Sequence, residues 1–139
     1  MTGLRYRHVL VVEDDNVLAR IIERNLSARG VRVLRAASVG EALAAIAVAR
    51  PDAMLLDIDL PDRTGWDLLR SLQTRDVKIP AIVVSGTRVT PERLAEFKPI
   101  AYLPKPFPLD ALLRLVIGEE ADPTAGPEAN AAAGKRWIQ

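Results

Sequence analysis

Two hydrophobic periodicities alternate along this chain. Short, nearly continuous apolar runs at Val9–Val12, Val31–Leu34, Ala53–Ile58, Ala81–Val84 and Ala101–Leu103 have the length and composition of β-strands buried on both faces. Between them apolar residues recur at helical spacing, beginning with Leu18, Ile21, Ile22 and Leu26, and Gly30 stands where a helix C-terminal glycine belongs. Ser38 and Glu41 form an S-x-x-E capping box ahead of a helix over Ala42–Val48, which Pro51 ends. A third helix is expected from about Trp66 to Leu72. The fourth has Thr90 as N-cap and Pro91 at its first position and stops before Pro99, and the fifth runs from Pro108 to about Ile117.

This alternation predicts an α/β fold, a doubly wound five-stranded parallel sheet with right-handed crossovers and helices on both faces. Ligands of such sheets bind beyond the carboxyl ends of the strands. Polar residues arrive there on four of them: Glu13-Asp14-Asp15, Asp57, Ser85 and Lys105. Carboxylates, a hydroxyl and an ammonium on one sheet edge suit a divalent cation and a phosphoryl group. Mg²⁺ takes oxygen ligands, which Glu13, Asp14 and Asp57 would supply, and it relieves the repulsion among them. An Asp carboxylate is also a nucleophile toward phosphorus. Lys105 would cover one phosphoryl oxygen as a point charge, and Ser85 would donate a hydrogen bond to another. The Lys105–Pro106 bond is a candidate cis peptide.

Composition narrows the picture. At 139 residues and 49% hydrophobic, the chain is long enough for one core and short for two. The absence of cysteine excludes disulfides and thiolate metal sites. The 19 basic and 18 acidic residues nearly balance and the basic ones are scattered, so nucleic acid is not an expected partner. With no apolar run near the roughly 18 residues of a membrane span and no signal-type leader, the expected setting is cytoplasmic. From Gly118 the chain turns Ala-, Gly- and Pro-rich, so residues 118–139 are expected to form a flexible tail behind a domain of residues 1–117.

The segments Val11-Val12-Glu13-Asp14-Asp15, Leu55-Leu56-Asp57-Ile58-Asp59-Leu60-Pro61 with Gly65, Val83-Val84-Ser85-Gly86, and Tyr102 with Lys105-Pro106 resemble, in order and spacing, the motif set of two-component response-regulator receiver domains. The resemblance covers about residues 8 to 117 and is to stand-alone, chemotaxis-regulator-like members. It implies a flavodoxin-like sheet of strand order 2-1-3-4-5, with Asp57 as phosphoacceptor. Glu13 and Asp14 would hold Mg²⁺, Asp14 being favoured as direct ligand, with the Asp59 backbone carbonyl completing the protein ligands. Ser85 would be the switch hydroxyl, Lys105 the phosphate-contacting cation and Tyr102 the rotating aromatic on an output face formed by the fourth helix, fifth strand and fifth helix. A histidine kinase or histidine phosphotransfer protein would donate the phosphoryl group, an output protein would read the result, and the domain would be a monomer or weak dimer. Three departures stand out. Gly86 replaces a frequent alanine, the short Ser85-to-Lys105 interval implies a short fourth helix, and Asp59 puts an additional carboxylate two residues past the acceptor, where it would influence metal affinity or water access.

Other readings compete. Asp57-Ile58-Asp59-Leu60 also resembles the D-x-D motif of haloacid-dehalogenase-type phosphatases, although that family places its acidic pair after the lysine. A phosphorylation-independent interaction domain is a third reading. Tyr102 suits a packed strand aromatic as well as a switch. Asp15, Asp62 and Asp67 read as solvated loop or helix-start acids, and Trp66 as a helix-packing residue.

Overall fold

The computed structural model describes residues 4–118; the expected tail lies, from residue 119 onward, outside the described residues. Five parallel strands, β1 (His8–Val12), β2 (Arg32–Ala36), β3 (Ala53–Asp57), β4 (Ala81–Ser85) and β5 (Ala101–Pro104), form one sheet in the order β2-β1-β3-β4-β5. The helices that connect or follow them are α1 (Asn16–Ser27), α2 (Val39–Val48), α3 (Gly65–Thr74), α4 (Pro91–Phe97) and α5 (Leu109–Ile117). No helix among the described residues is long and apolar enough to cross a membrane.

Alternation along the central strands feeds two cores. Val9, Val11, Leu55, Ile82 and Val84 face α1 and α5, whereas Leu10, Val12, Met54, Leu56 and Val83 face α2 and α3. β1, β3 and β4 are thus buried on both faces, as their unbroken apolar runs imply. β2 corrects the expectation: it runs from Arg32 to Ala36 rather than from Val31 to Leu34, and Arg32, Leu34 and Arg35 are exposed. It is an edge strand with less cover than the middle of the sheet. Val31 is buried just before it, at the end of α1, where the Val31 N–H donates to the Leu26 carbonyl and the Gly30 N–H to that of Ser27. Gly30, at φ +88°, makes that left-handed stop possible.

Of the acids read as loop or helix-start residues, Asp15 and Asp67 do start helices, and Asp62 adds a long-range role. Asp15 caps α1, its Oδ1 accepting from the N–H groups of Val17 and Leu18. Asp62 reaches across from the β3–α3 loop to accept from the N–H groups of Val39 and Gly40, and these bonds hold its carboxyl below the usual carboxylate range. Asp67 closes a capping box with Thr64 at the start of α3. At α2, Ser38 does cap the Glu41 N–H, but the Glu41 carboxylate reaches back to the N–H of Ala37, so the expected box is closed one residue early. The helix begins at Val39 rather than Ala42.

Candidate functional site

Parallel register brings the polar strand ends together. Val12 pairs with Leu56, Asp57 with Val84 and Ser85 with Pro104, so Glu13, Asp57, Ser85 and Lys105 arrive at one edge. Glu13, Asp57 and Ser85 are the buried polar and charged residues of the described structure. The loop after β3 packs tightly beneath them. A Cβ on Gly65 would sit 2.8 Å from the Asp57 carbonyl oxygen and 2.9 Å from the Ile58 side chain, so only glycine lets α3 start this close to β3.

Lys105 Nζ lies between two carboxylates, 2.8 Å from Glu13 Oε1 and 3.1 Å from Asp57 Oδ2. The contact with Glu13 is ionic in geometry; that with Asp57 is also a directed hydrogen bond. The remaining oxygens accept from backbone: Asp57 Oδ1 from the Asp59 N–H at 2.9 Å and Glu13 Oε2 from the Asp15 N–H at 3.1 Å. The Lys105–Pro106 peptide is cis, and the Lys105 N–H donates to the Ser85 carbonyl at 2.8 Å.

One ammonium does not neutralise two buried acids. Burial pushes the Glu13 carboxyl up to about 7, with the neighbouring Asp57 adding to the rise, while Lys105 and the Asp15 N–H pull the other way. Burial disfavours the Lys105 charge as well, but its contacts with Glu13 and Asp57 outweigh that and raise it above the ordinary lysine value. Glu13, Asp14 and Asp57 each offer one carboxylate oxygen, all within 4.8 Å of one another, and Asp14 is exposed. This all-oxygen donor set, short of positive charge and open on one side, fits a hard divalent cation such as Mg²⁺.

The other half of the site turns on Asp59. Its carboxylate lies against the turn after β4, where Oδ2 accepts from the Ser85 hydroxyl at 3.1 Å and the Gly86 N–H at 3.3 Å, and Oδ1 from the Thr87 hydroxyl at 3.3 Å. Ser85 Oγ in turn accepts from the Thr87 N–H at 3.0 Å and lies 2.9 Å from Thr87 Oγ1. Thr87 was missed by sequence reasoning; the only signal was a second hydroxyl two residues past Ser85. Tyr102 is half-buried against the α2–α3 core, and its hydroxyl lies 3.5 Å from the Thr87 carbonyl. Burial, then the Asp59 charge, raises its pKa. Trp66 is a packing residue, stacked on Phe97 with ring centroids 5.4 Å apart.

Residues 9–117 match the response regulator receiver domain family. The chain is 35% identical over 127 residues to response regulator MprA of Mycobacterium sp. strain KMS, covering 88% of this chain and 55% of that protein. It is 38% identical over 107 residues to response regulator MprA of Mycolicibacterium vanbaalenii, covering 76% and 46%. The chain therefore spans about half the length of these curated relatives. Among solved structures, the receiver domain of a Francisella response regulator aligns with TM-score 0.72 at 26% identity, covering 93% of this chain and 98% of that one. A CheY-like receiver domain from Methanospirillum hungatei aligns with TM-score 0.69 at 25% identity, covering 94% and 95%. These matches leave the phosphatase reading without support. With the 2-1-3-4-5 sheet and the acids gathered at its carboxyl edge, they establish that this chain belongs to the receiver domain family of two-component response regulators.

Proposed function

We propose that Asp57 is the phosphoacceptor of a receiver unit formed by residues 1–117, and that a histidine kinase or histidine phosphotransfer protein is its donor. One Asp57 carboxylate oxygen forms the new P–O bond as the P–N bond to the donor imidazole breaks, and the imidazole departs with the electron pair and takes up a proton. The observation that carries the reading is the burial of Asp57 in direct contact with Lys105, beside Glu13 and Asp14. Glu13, Asp14, Asp57 and the Asp59 backbone carbonyl would hold Mg²⁺, which when bound supplies neutralisation of the phosphoryl oxygens. Lys105 already touches Asp57, so its ammonium is positioned to take a phosphoryl oxygen without reorganisation. Because these groups all belong to the receiver, transfer from a small donor and later hydrolysis are partly self-catalysed.

Lys105 shares its rim with an apolar groove of about 350 Å³, lined by Leu18, Ile21, Pro106, Phe107 and Leu109. Ile21 stays exposed in it, which suits a transient apolar contact with a donor docked over that rim. Acetyl phosphate with Mg²⁺ tests the assignment: one label is expected, on Asp57, and none in Asp57→Asn. Label persisting on Asp14, Asp15 or Asp59 overturns it. Partner binding indifferent to phosphorylation would instead favour the phosphorylation-independent reading.

A further inference from the structure

We propose that the Asp59 carboxylate is a built-in occupant of the donor set that grips the phosphoryl group, so that phosphorylation must expel Asp59 before Ser85 can engage. This deepens the acceptor reading of Asp57 and rests on it. Three donors, the Ser85 and Thr87 hydroxyls and the Gly86 N–H, converge on one carboxylate. A carboxylate and a phosphoryl group present the same chemistry to them, anionic oxygens that only accept. Ser85 is 1% exposed, so its hydroxyl has no ready exchange with water, and in the resting protein Asp59 satisfies it.

Proton counting makes the two occupants compete for Ser85. Ser85 and Thr87 hold one hydroxyl proton each, so of the three contacts among the two hydroxyls and the Asp59 carboxylate at most two are made at once, and Ser85 has no second proton to offer. Turning the Ser85 proton to a phosphoryl oxygen removes its bond to Asp59 Oδ2. A phosphoryl group beside this carboxylate also adds like charge. The backbone joins the two ends of the exchange: the Asp59 N–H is bonded to Asp57 Oδ1 while its side chain is bonded to the turn after β4. Asp59 is thus a positioning residue that acts through Ser85 and Thr87, holding the switch hydroxyl in its resting place.

The test is a titration with beryllium fluoride, a phosphoryl mimic, at saturating Mg²⁺ and followed by NMR. Asp59→Ala should bind it about tenfold more tightly than wild type, a size set by the loss of charge-assisted bonds to the competing carboxylate. In a Thr87→Val background, where the clasp on Asp59 is already weakened, the same substitution should gain no more than about threefold. A full tenfold gain in that background would mean simple charge repulsion and overturn the clasp. Unchanged or weaker binding by Asp59→Ala, with binding still abolished in Asp57→Asn, overturns the proposal and spares the acceptor reading. Binding that survives Asp57→Asn overturns both.

Discussion

The half of the site proposed to accept the phosphoryl group and the half proposed to switch are built on opposite principles. Glu13 directly follows and Asp57 ends central strands buried on both faces, beside a loop packed so closely that Gly65 admits no side chain. The switching half leads instead into α4, seven residues long with none of them buried. That helix is held to α3 by half-buried Phe97 stacked on buried Trp66, and around them by exposed charges: Arg93 over Trp66, Arg70 over Phe97, and Glu96 paired with both arginines. Charges that must be positioned are fixed by packing, while the part that must report a change is held by contacts worth little individually. On the proposed function, the closely packed half carries the acceptor and the lightly held half the switch.

The largest expected effect strikes the closely packed half. Gly65→Ala places a Cβ against the Asp57 carbonyl and Ile58, and should cost about 2–4 kcal/mol in denaturant unfolding. A loss below about 0.5 kcal/mol would mean the loop yields easily and would erase the contrast.

Next comes the strain of buried charge. The Glu13 carboxyl sits at about 7 when folded against an ordinary 4.5, so between those values the unfolded chain releases a proton that the folded one keeps. Its contribution is fully present below about 4.5 and is lost as pH rises to about 7. In EDTA, stability should fall across that window by on the order of 2–3 kcal/mol, and the fall should be absent in Glu13→Gln. Parallel pH profiles for the two proteins would refute it.

The lightly held half should respond locally. Phe97→Ala removes the stack on Trp66 and the seat of Arg70, and should cost about 1–2 kcal/mol, read as faster amide exchange in α4 with β1 and β3 unaffected. Equal acceleration in the central strands would show the halves to be one cooperative unit.

The smallest effect is at Gly86. No heavy atom lies within 4 Å of a Cβ placed there, and Gly86 is not among the positive-φ glycines. Gly86→Ala should therefore stabilise the protein by about 0.4–1 kcal/mol through the unfolded state. Destabilisation would reveal that the turn after β4 needs conformations that alanine lacks.

Most of the architecture was legible because it depends on local period and composition. Unbroken apolar runs at Val9–Val12, Ala53–Leu56 and Ala81–Val84 can be satisfied only by cover on both faces, and Thr90-Pro91 starts a helix wherever it lies. Glu13, Asp14, Asp57, Ser85 and Lys105 could be placed on one edge because parallel strands deliver their carboxyl ends together. β2 misled because Val31–Leu34 looks apolar by itself, and edge position is a property of the whole sheet. The bonds of Asp62 to Val39 and Gly40, and the clasp of Asp59 on Ser85, Gly86 and Thr87, join residues 22 to 28 positions apart along the chain. Partners this distant depend on which donors folding leaves nearby, and no local pattern encodes them, whereas the capping acids Asp15 and Asp67 find theirs within three residues. Residue types and their order along the chain thus determined the sheet, its polar edge and the chemistry available there; tertiary structure alone decided the distant donors that Asp59 and Asp62 receive, because hydrogen bonds are short-ranged and the turns that meet there come from distant parts of the chain.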